Sequence, residues 1–168
     1  MLRSASSGIY SEIMFYAPGG GESRKEGSGE CKLSRSTTDV VIIGLGLFNE
    51  GLFWAESEAV DSFLAGLKRL VKMIEDIGAV PIIADCYPCN LIQKPSHYEL
   101  LVHTHNVIQS WEVLSFNWFD ALDDGKGHFK PGMLDDMTND PVHPNDVGHT
   151  CMFNAIPKEW FTQIQAKL

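Results

Sequence analysis

Four consecutive β-branched residues, Val40, Val41, Ile42 and Ile43, followed by a glycine turn and a long amphipathic stretch, constrain this chain more than any other feature. An unbroken apolar run of this kind suits a strand covered on both faces, the usual condition of a parallel sheet. Beyond Gly44-Leu45-Gly46, the 56–77 stretch places Val60, Phe63, Leu64, Leu67, Val71 and Ile74 at i, i+3, i+4, i+7 spacing. That spacing makes one apolar stripe of a helix, with Gly78 as a natural C-terminal cap. A second buried strand follows over 80–85, with PIIAD at its centre. Strands alternating with helices predict an α/β fold, a parallel sheet between two helical layers.

The remaining elements extend this pattern. Pro95 and Ser96 open a helix over about 97–111, with Leu100, Leu101, Val107 and Ile108 as its buried side. A short third strand is expected over 113–117 and a glycine-containing loop over 120–136. A helix follows over 147–156. Pro157 then kinks or restarts the helix, and Trp160, Phe161 and Ile164 pack it down. Residues 1–38 are dominated by Ser, Gly and charge, as in PGGGESRKEGSGE, and read as a poorly ordered segment with one possible strand over 9–17. Residues 39–168 read as the α/β domain. Residues 47–51 fall at the C-terminal end of the first strong strand, where ligands of such sheets usually bind.

Composition narrows the partners. The net charge is −9, from 13 basic and 22 acidic residues, and no Lys/Arg cluster is long enough to track phosphates. Nucleic acid is therefore not an expected partner. No apolar run is long enough for a membrane span. The stretch MLRSASSGIYSEIMFY lacks the apolar core of a secretory signal. The four cysteines, Cys31, Cys86, Cys89 and Cys151, are too sparse for a disulfide framework, which favours a reducing, cytoplasmic compartment.

The strongest chemical signal is the stretch 140–149, DPVHPNDVGH. It sets Asp140 three residues before His143 in a proline-stiffened loop that opens a helix. A carboxylate beside an imidazole fixes its tautomer and steadies the imidazolium formed when it takes a proton. A bare D-x-x-H is more often a capped turn with a surface histidine; the two prolines and the following Gly148-His149 raise its weight. The rival signal is Cys86-Tyr87-Pro88-Cys89, a dithiol spacing after a strand, although the next helix starts several residues later than a redox pair needs. His103 and His105, two apart on a helix, point to different sides and make a poor metal pair. His128 is read as structural or exposed, and His149 as a brace for the His143 loop. Asp123-Asp124-Gly125 is read as a turn rather than a calcium loop. The glycine-rich 19–29 segment lacks the Lys-Ser/Thr ending of a phosphate loop.

DPVHPNDVGH resembles the last block of the SGNH (GDSL-like) hydrolases, and DVVIIGLGLFNEG over 39–51 resembles their third block. YPCN at 87–90, the HYELL helix and DDGKGHF at 123–129 fit one branch of that superfamily, so the resemblance covers roughly 39–168. It implies a flavodoxin-like three-layer α/β/α fold. It also implies hydrolysis of carboxylic esters, acetyl or small acyl and including carbohydrate esters, with no metal or organic cofactor. On this resemblance His143 is the general base, Asp140 orients it, and Asn49 donates to an oxyanion, with Gly46 and Gly20 as further donors. The family's nucleophilic Ser lies in a Gly-Asp-Ser block, which this sequence lacks; Ser4, Ser6, Ser7 and Ser11 do not carry that motif. The resemblance thus implies a chain that lacks the N-terminal block, with impaired activity and a sheet edge that a second protomer could cover. The alternatives are a non-catalytic ligand-binding remnant of a hydrolase and a dithiol oxidoreductase using Cys86 and Cys89.

Overall fold

The computed structural model describes residues 13–14, 40–47, 51–92, 94–134 and 140–165. The strands are β1 (Ile13–Met14), β2 (Val40–Gly44), β3 (Val80–Ala84) and β4 (Leu114–Phe116), paired in that order in one sheet. β2, β3 and β4 are parallel, with Val40 opposite Val80 and Ile82 opposite Leu114. β1 runs antiparallel to β2, pairing Ile13 with Ile43 and Met14 with Ile42. Of the expected 9–17 strand, Ile13–Met14 is described and the rest lies outside the described residues; among the described strands, β1 alone departs from the parallel expectation.

The β-branched runs form the middle of the sheet because alternate residues meet different helical layers. Val41, Ile43 and Ile83 join the larger core, packed with Val60, Phe63, Leu67 and Val71 of α1 (Leu52–Asp76) and Leu101 and Ile108 of α2 (Pro95–Gln109). Val40, Ile42, Ile82 and Phe116 turn to a smaller core closed by Trp160 and Ile164 of α5 (Glu159–Gln165). This is the three-layer α/β/α arrangement. A strand with apolar partners on both faces needs no polar alternation, hence the VVII run.

The stripe expected over 56–77 belongs to a longer helix that begins at Leu52. Glu56 interrupts it with φ 44° and ψ −115°, so the first turn is set off from the rest. At the other end Gly78 adopts φ 82°, and the N–H groups of Gly78 and Ala79 donate to the carbonyls of Glu75 and Ile74. These bonds satisfy two carbonyls that the helix end would otherwise leave orphaned. α2 starts at Pro95 as expected, but its buried side is not the four apolar residues named above. Leu101 and Ile108 are buried with His97, Thr104 and His105, while Leu100 and Val107 are only half-buried. The 120–136 loop also needs correction. A short helix, α3 (Trp118–Leu122), precedes it because the Asn117 side chain caps the Asp120 N–H. The last strong helix is α4 (Asp146–Asn154).

Candidate active site

The loop ahead of α4 is fixed by its own side chains. Asp140 Oδ1 accepts from the backbone N–H groups of Val142 (2.8 Å) and His143 (3.1 Å). Its other oxygen, Oδ2, lies 2.7 Å from His143 Nδ1. The hydrogen bond from His143, followed by those backbone donors, holds the Asp140 carboxyl below the ordinary carboxylate range. The imidazole stays largely exposed at its outer side. With Nδ1 engaged by a carboxylate, Nε2 is the nitrogen left for proton transfer.

The residues that follow explain the rest of the motif. Asn145 caps α4, its Oδ1 accepting from the N–H groups of Val147 and Gly148. Its Nδ2 donates to the carbonyls of Gly132 (3.0 Å) and Leu134 (2.8 Å), binding the loop to the preceding segment. Pro144 is buried against Gly148, where an added Cβ would come within 2.5 Å of the proline Cβ. Only glycine fits that contact unchanged. Asn90 holds the loop from the β3 side: its N–H donates to Pro141 O at 2.8 Å, and its side-chain oxygen accepts from Phe129 N–H at 3.0 Å. The bracing expected of His149 falls to Asn145, Gly148 and Asn90; His149 itself is exposed on α4.

His143 borders a cleft of about 300 Å³ at the C-terminal ends of β2 and β3. Gly44, Leu45, Gly46 and Leu47 contribute from β2 and its exit, and Ala84, Asp85, Cys86 and Tyr87 from β3 and its exit. Trp118, Val142 and Met152 complete the lining. The structure therefore brings together His143, Asp140 and the Gly46 segment. Asn49 and Gly20 lie outside the described residues, as do Ser4, Ser6, Ser7, Ser11 and Cys31. Among the described residues, no serine or threonine lines the cleft.

The cysteine pair takes a different role from the one its spacing suggests. Cys86 and Cys89 are free and buried. Burial, with the Asp85 charge added at Cys86, pushes both thiols up, the opposite of an activated thiolate. The Asp123-Asp124-Gly125 segment is a turn: Asp123 accepts from the N–H groups of Gly125 and Gly127, and from the Tyr98 hydroxyl at 2.9 Å. His128 Nε2 lies 2.8 Å from Ile92 O and ties that turn to the β3 exit. His103 is exposed and His105 buried, on different sides of α2.

One constellation was missed in the sequence. Asp85, at the end of β3, is buried and accepts from Cys86 N–H at 2.8 Å. Its other oxygen lies 2.5 Å from His105 Nδ1 and 3.3 Å from Gln109 Nε2. The His105 ring stacks on Phe119 at 4.7 Å, and its Nε2 is 3.9 Å from Asp120. Burial raises the Asp85 carboxyl, and His105 only partly offsets that. Burial alone would lower His105, but Asp85, then Asp120 and Asp123, outweigh it and leave the imidazole raised. The pair thus holds its proton to higher pH than its unfolded members would. The signal available in the sequence was the spacing of His97, Leu101, Thr104, His105 and Ile108 on one helical face.

Comparison with known proteins adds the fold. No protein-family model matches the sequence, and no curated protein matches it. Among solved structures, a protein of Bacteroides fragilis described as a candidate acylhydrolase superposes with a TM-score of 0.58 at 14% sequence identity. The match covers 76% of this chain and 63% of that one, so this chain spans less than two thirds of its neighbour's length. At such identity the likeness shows a shared α/β fold.

Proposed function

We propose that the cleft binds a carboxylic ester and that His143, oriented by Asp140, is the base of an acyl-transfer reaction. The observation that carries this reading is the 2.7 Å Asp140–His143 pair at the mouth of a cleft at the strand ends. The acylhydrolase description of the structural neighbour supports it. Oxyanion stabilisation falls to the backbone at Gly46, with Asn49 and Gly20 as the further donors suggested by the sequence resemblance; one preorganised donor is worth about 3 kcal/mol. Turnover is expected to be slow, because the described lining offers a base but no serine or threonine to serve as its nucleophile.

The test is hydrolysis of p-nitrophenyl acetate by the wild type, His143→Ala and Asp140→Asn proteins. A positioned base contributes roughly 10²–10⁴-fold, so His143→Ala should bring any turnover to the buffer rate. If both variants match a measurable wild-type rate, His143 is not the base. The absence of serine and threonine from the described lining also favours a second reading, ester or glycan-ester binding without turnover. It is selected if the folded wild type hydrolyses no faster than buffer yet still binds an ester analogue. Fluorophosphonate labelling with peptide mapping then shows whether any serine of the chain reacts.

A further inference from the structure

The cleft has an apolar wall and, among its described lining residues, no lysine or arginine. Leu45, Leu47, Trp118, Val142 and Met152 line it, and the small residues Gly44 and Ala84 leave room at the strand ends. Asp85, the one carboxylate among the described lining residues, is buried and committed to Cys86 N–H, His105 and Gln109. An anionic group entering the cleft would lose hydration without gaining a permanent lysine or arginine counter-charge from the described lining. The indole N–H of Trp118 donates to Met152 O at 3.1 Å, so the aromatic wall is fixed with its polar atom satisfied.

Building on the acyl-transfer reading, we propose that the cleft selects an uncharged ester whose acyl chain is aliphatic and longer than acetyl. It disfavours any substrate bearing a carboxylate or phosphate on the group that enters. A volume of about 300 Å³ accommodates a chain of about four to eight carbons beside the reacting carbonyl.

Methyl ketones test this without turnover, because they present the ester's carbonyl with no bond to cleave. Binding of 2-butanone, 2-pentanone, 2-heptanone and 6-oxoheptanoate is followed by NMR at the Trp118 indole N–H and the Met152 methyl. Kd should fall by up to about fourfold for each added methylene. 6-Oxoheptanoate should bind about tenfold or more weakly than 2-heptanone. Met152→Lys should narrow or reverse that discrimination. A Kd independent of chain length, or equal binding of the carboxylate by the wild type, overturns the proposal even if His143-dependent hydrolysis is found. The expected gradient without hydrolysis upholds the ligand class and removes the acyl-transfer reading.

Discussion

At the scale of single residues, the site rests on two carboxylate–imidazole pairs with different jobs. The exposed pair, Asp140–His143, leaves the outer imidazole nitrogen towards solvent, the position the proposed base needs. The buried pair, Asp85–His105, is structural, and its energetics follow from burial. Removing one partner strands the other: His105→Ala leaves a buried carboxylate at Asp85 and should cost about 3–5 kcal/mol at neutral pH. Replacing both by neutral hydrogen-bonding residues, Asp85→Asn with His105→Gln, should cost much less. The sign of the pH dependence follows from the raised His105 pKa. Its contribution is fully present below the unfolded value, about 6.5, and is lost as pH rises through the folded value. The raised Asp85 carboxyl has the same sign, but its contribution is lost as pH rises from its own unfolded value, about 3.9. Wild-type stability in urea should therefore fall more steeply than that of the double variant as pH rises above about 6.5; equal slopes would show that the pair does not titrate there. Gly148 gives a sharper steric test. A Cβ at that position collides with Pro144, so Gly148→Ala should lose about 1–3 kcal/mol, although alanine is the better helix former. An increase in stability would mean that Pro144 is free to move.

At the scale of elements, what was legible depended on whether the determining contacts were local. The VVII and PIIAD strands and the α1 stripe follow from burial on repeating faces, and all lie where the periodicity puts them. The Asp140–His143 pair was visible because its members are three residues apart in one loop. Asp85 and His105 are 20 positions apart on different elements, and neither looks unusual in its own neighbourhood. His97, Thr104 and His105 put polar atoms on the buried side of α2, which blurred the apolar stripe and shifted its assignment. The five-residue α3 is too short to show a period and depends on a single Asn117 cap. Glu56 is the least legible feature, since positive φ is associated with glycine. There the glutamate is held by Lys94 at 3.3 Å and approached by His97 at 3.7 Å, a buried imidazole whose two nitrogens make no hydrogen bond among the described residues. A non-glycine residue in so sparse a backbone region costs about 1–3 kcal/mol. Glu56→Gly should therefore be neutral or stabilising, whereas Glu58→Gly, exposed on regular helix, should cost about 1 kcal/mol. Chemical denaturation of the two variants side by side checks this, and equal losses would remove the strain.

At the scale of the whole molecule, the cleft exists only because distant parts of the chain converge. Its lining comes from the ends of β2 and β3, from α3, and from the 140–143 loop with α4. Those elements rest on both layers: the larger core seats α1 and α2 on one face, and the smaller core seats α5 on the other. Asn90 joins the β3 exit to the His143 loop, and Trp118 joins α3 to α4, so no single segment can present the site alone. Ligand occupancy and folding must then be linked. A ligand that binds the native cleft and not the unfolded chain stabilises by RT ln(1 + [L]/Kd), about 2.7 kcal/mol at one hundred times Kd. Titrating 2-heptanone should move the urea midpoint by that relation, using the Kd read at the Trp118 indole, with an unchanged slope. Smaller shifts would mean that the ketone also binds the unfolded chain. A shift matching a different Kd would place the dominant binding site away from the cleft that His143 borders.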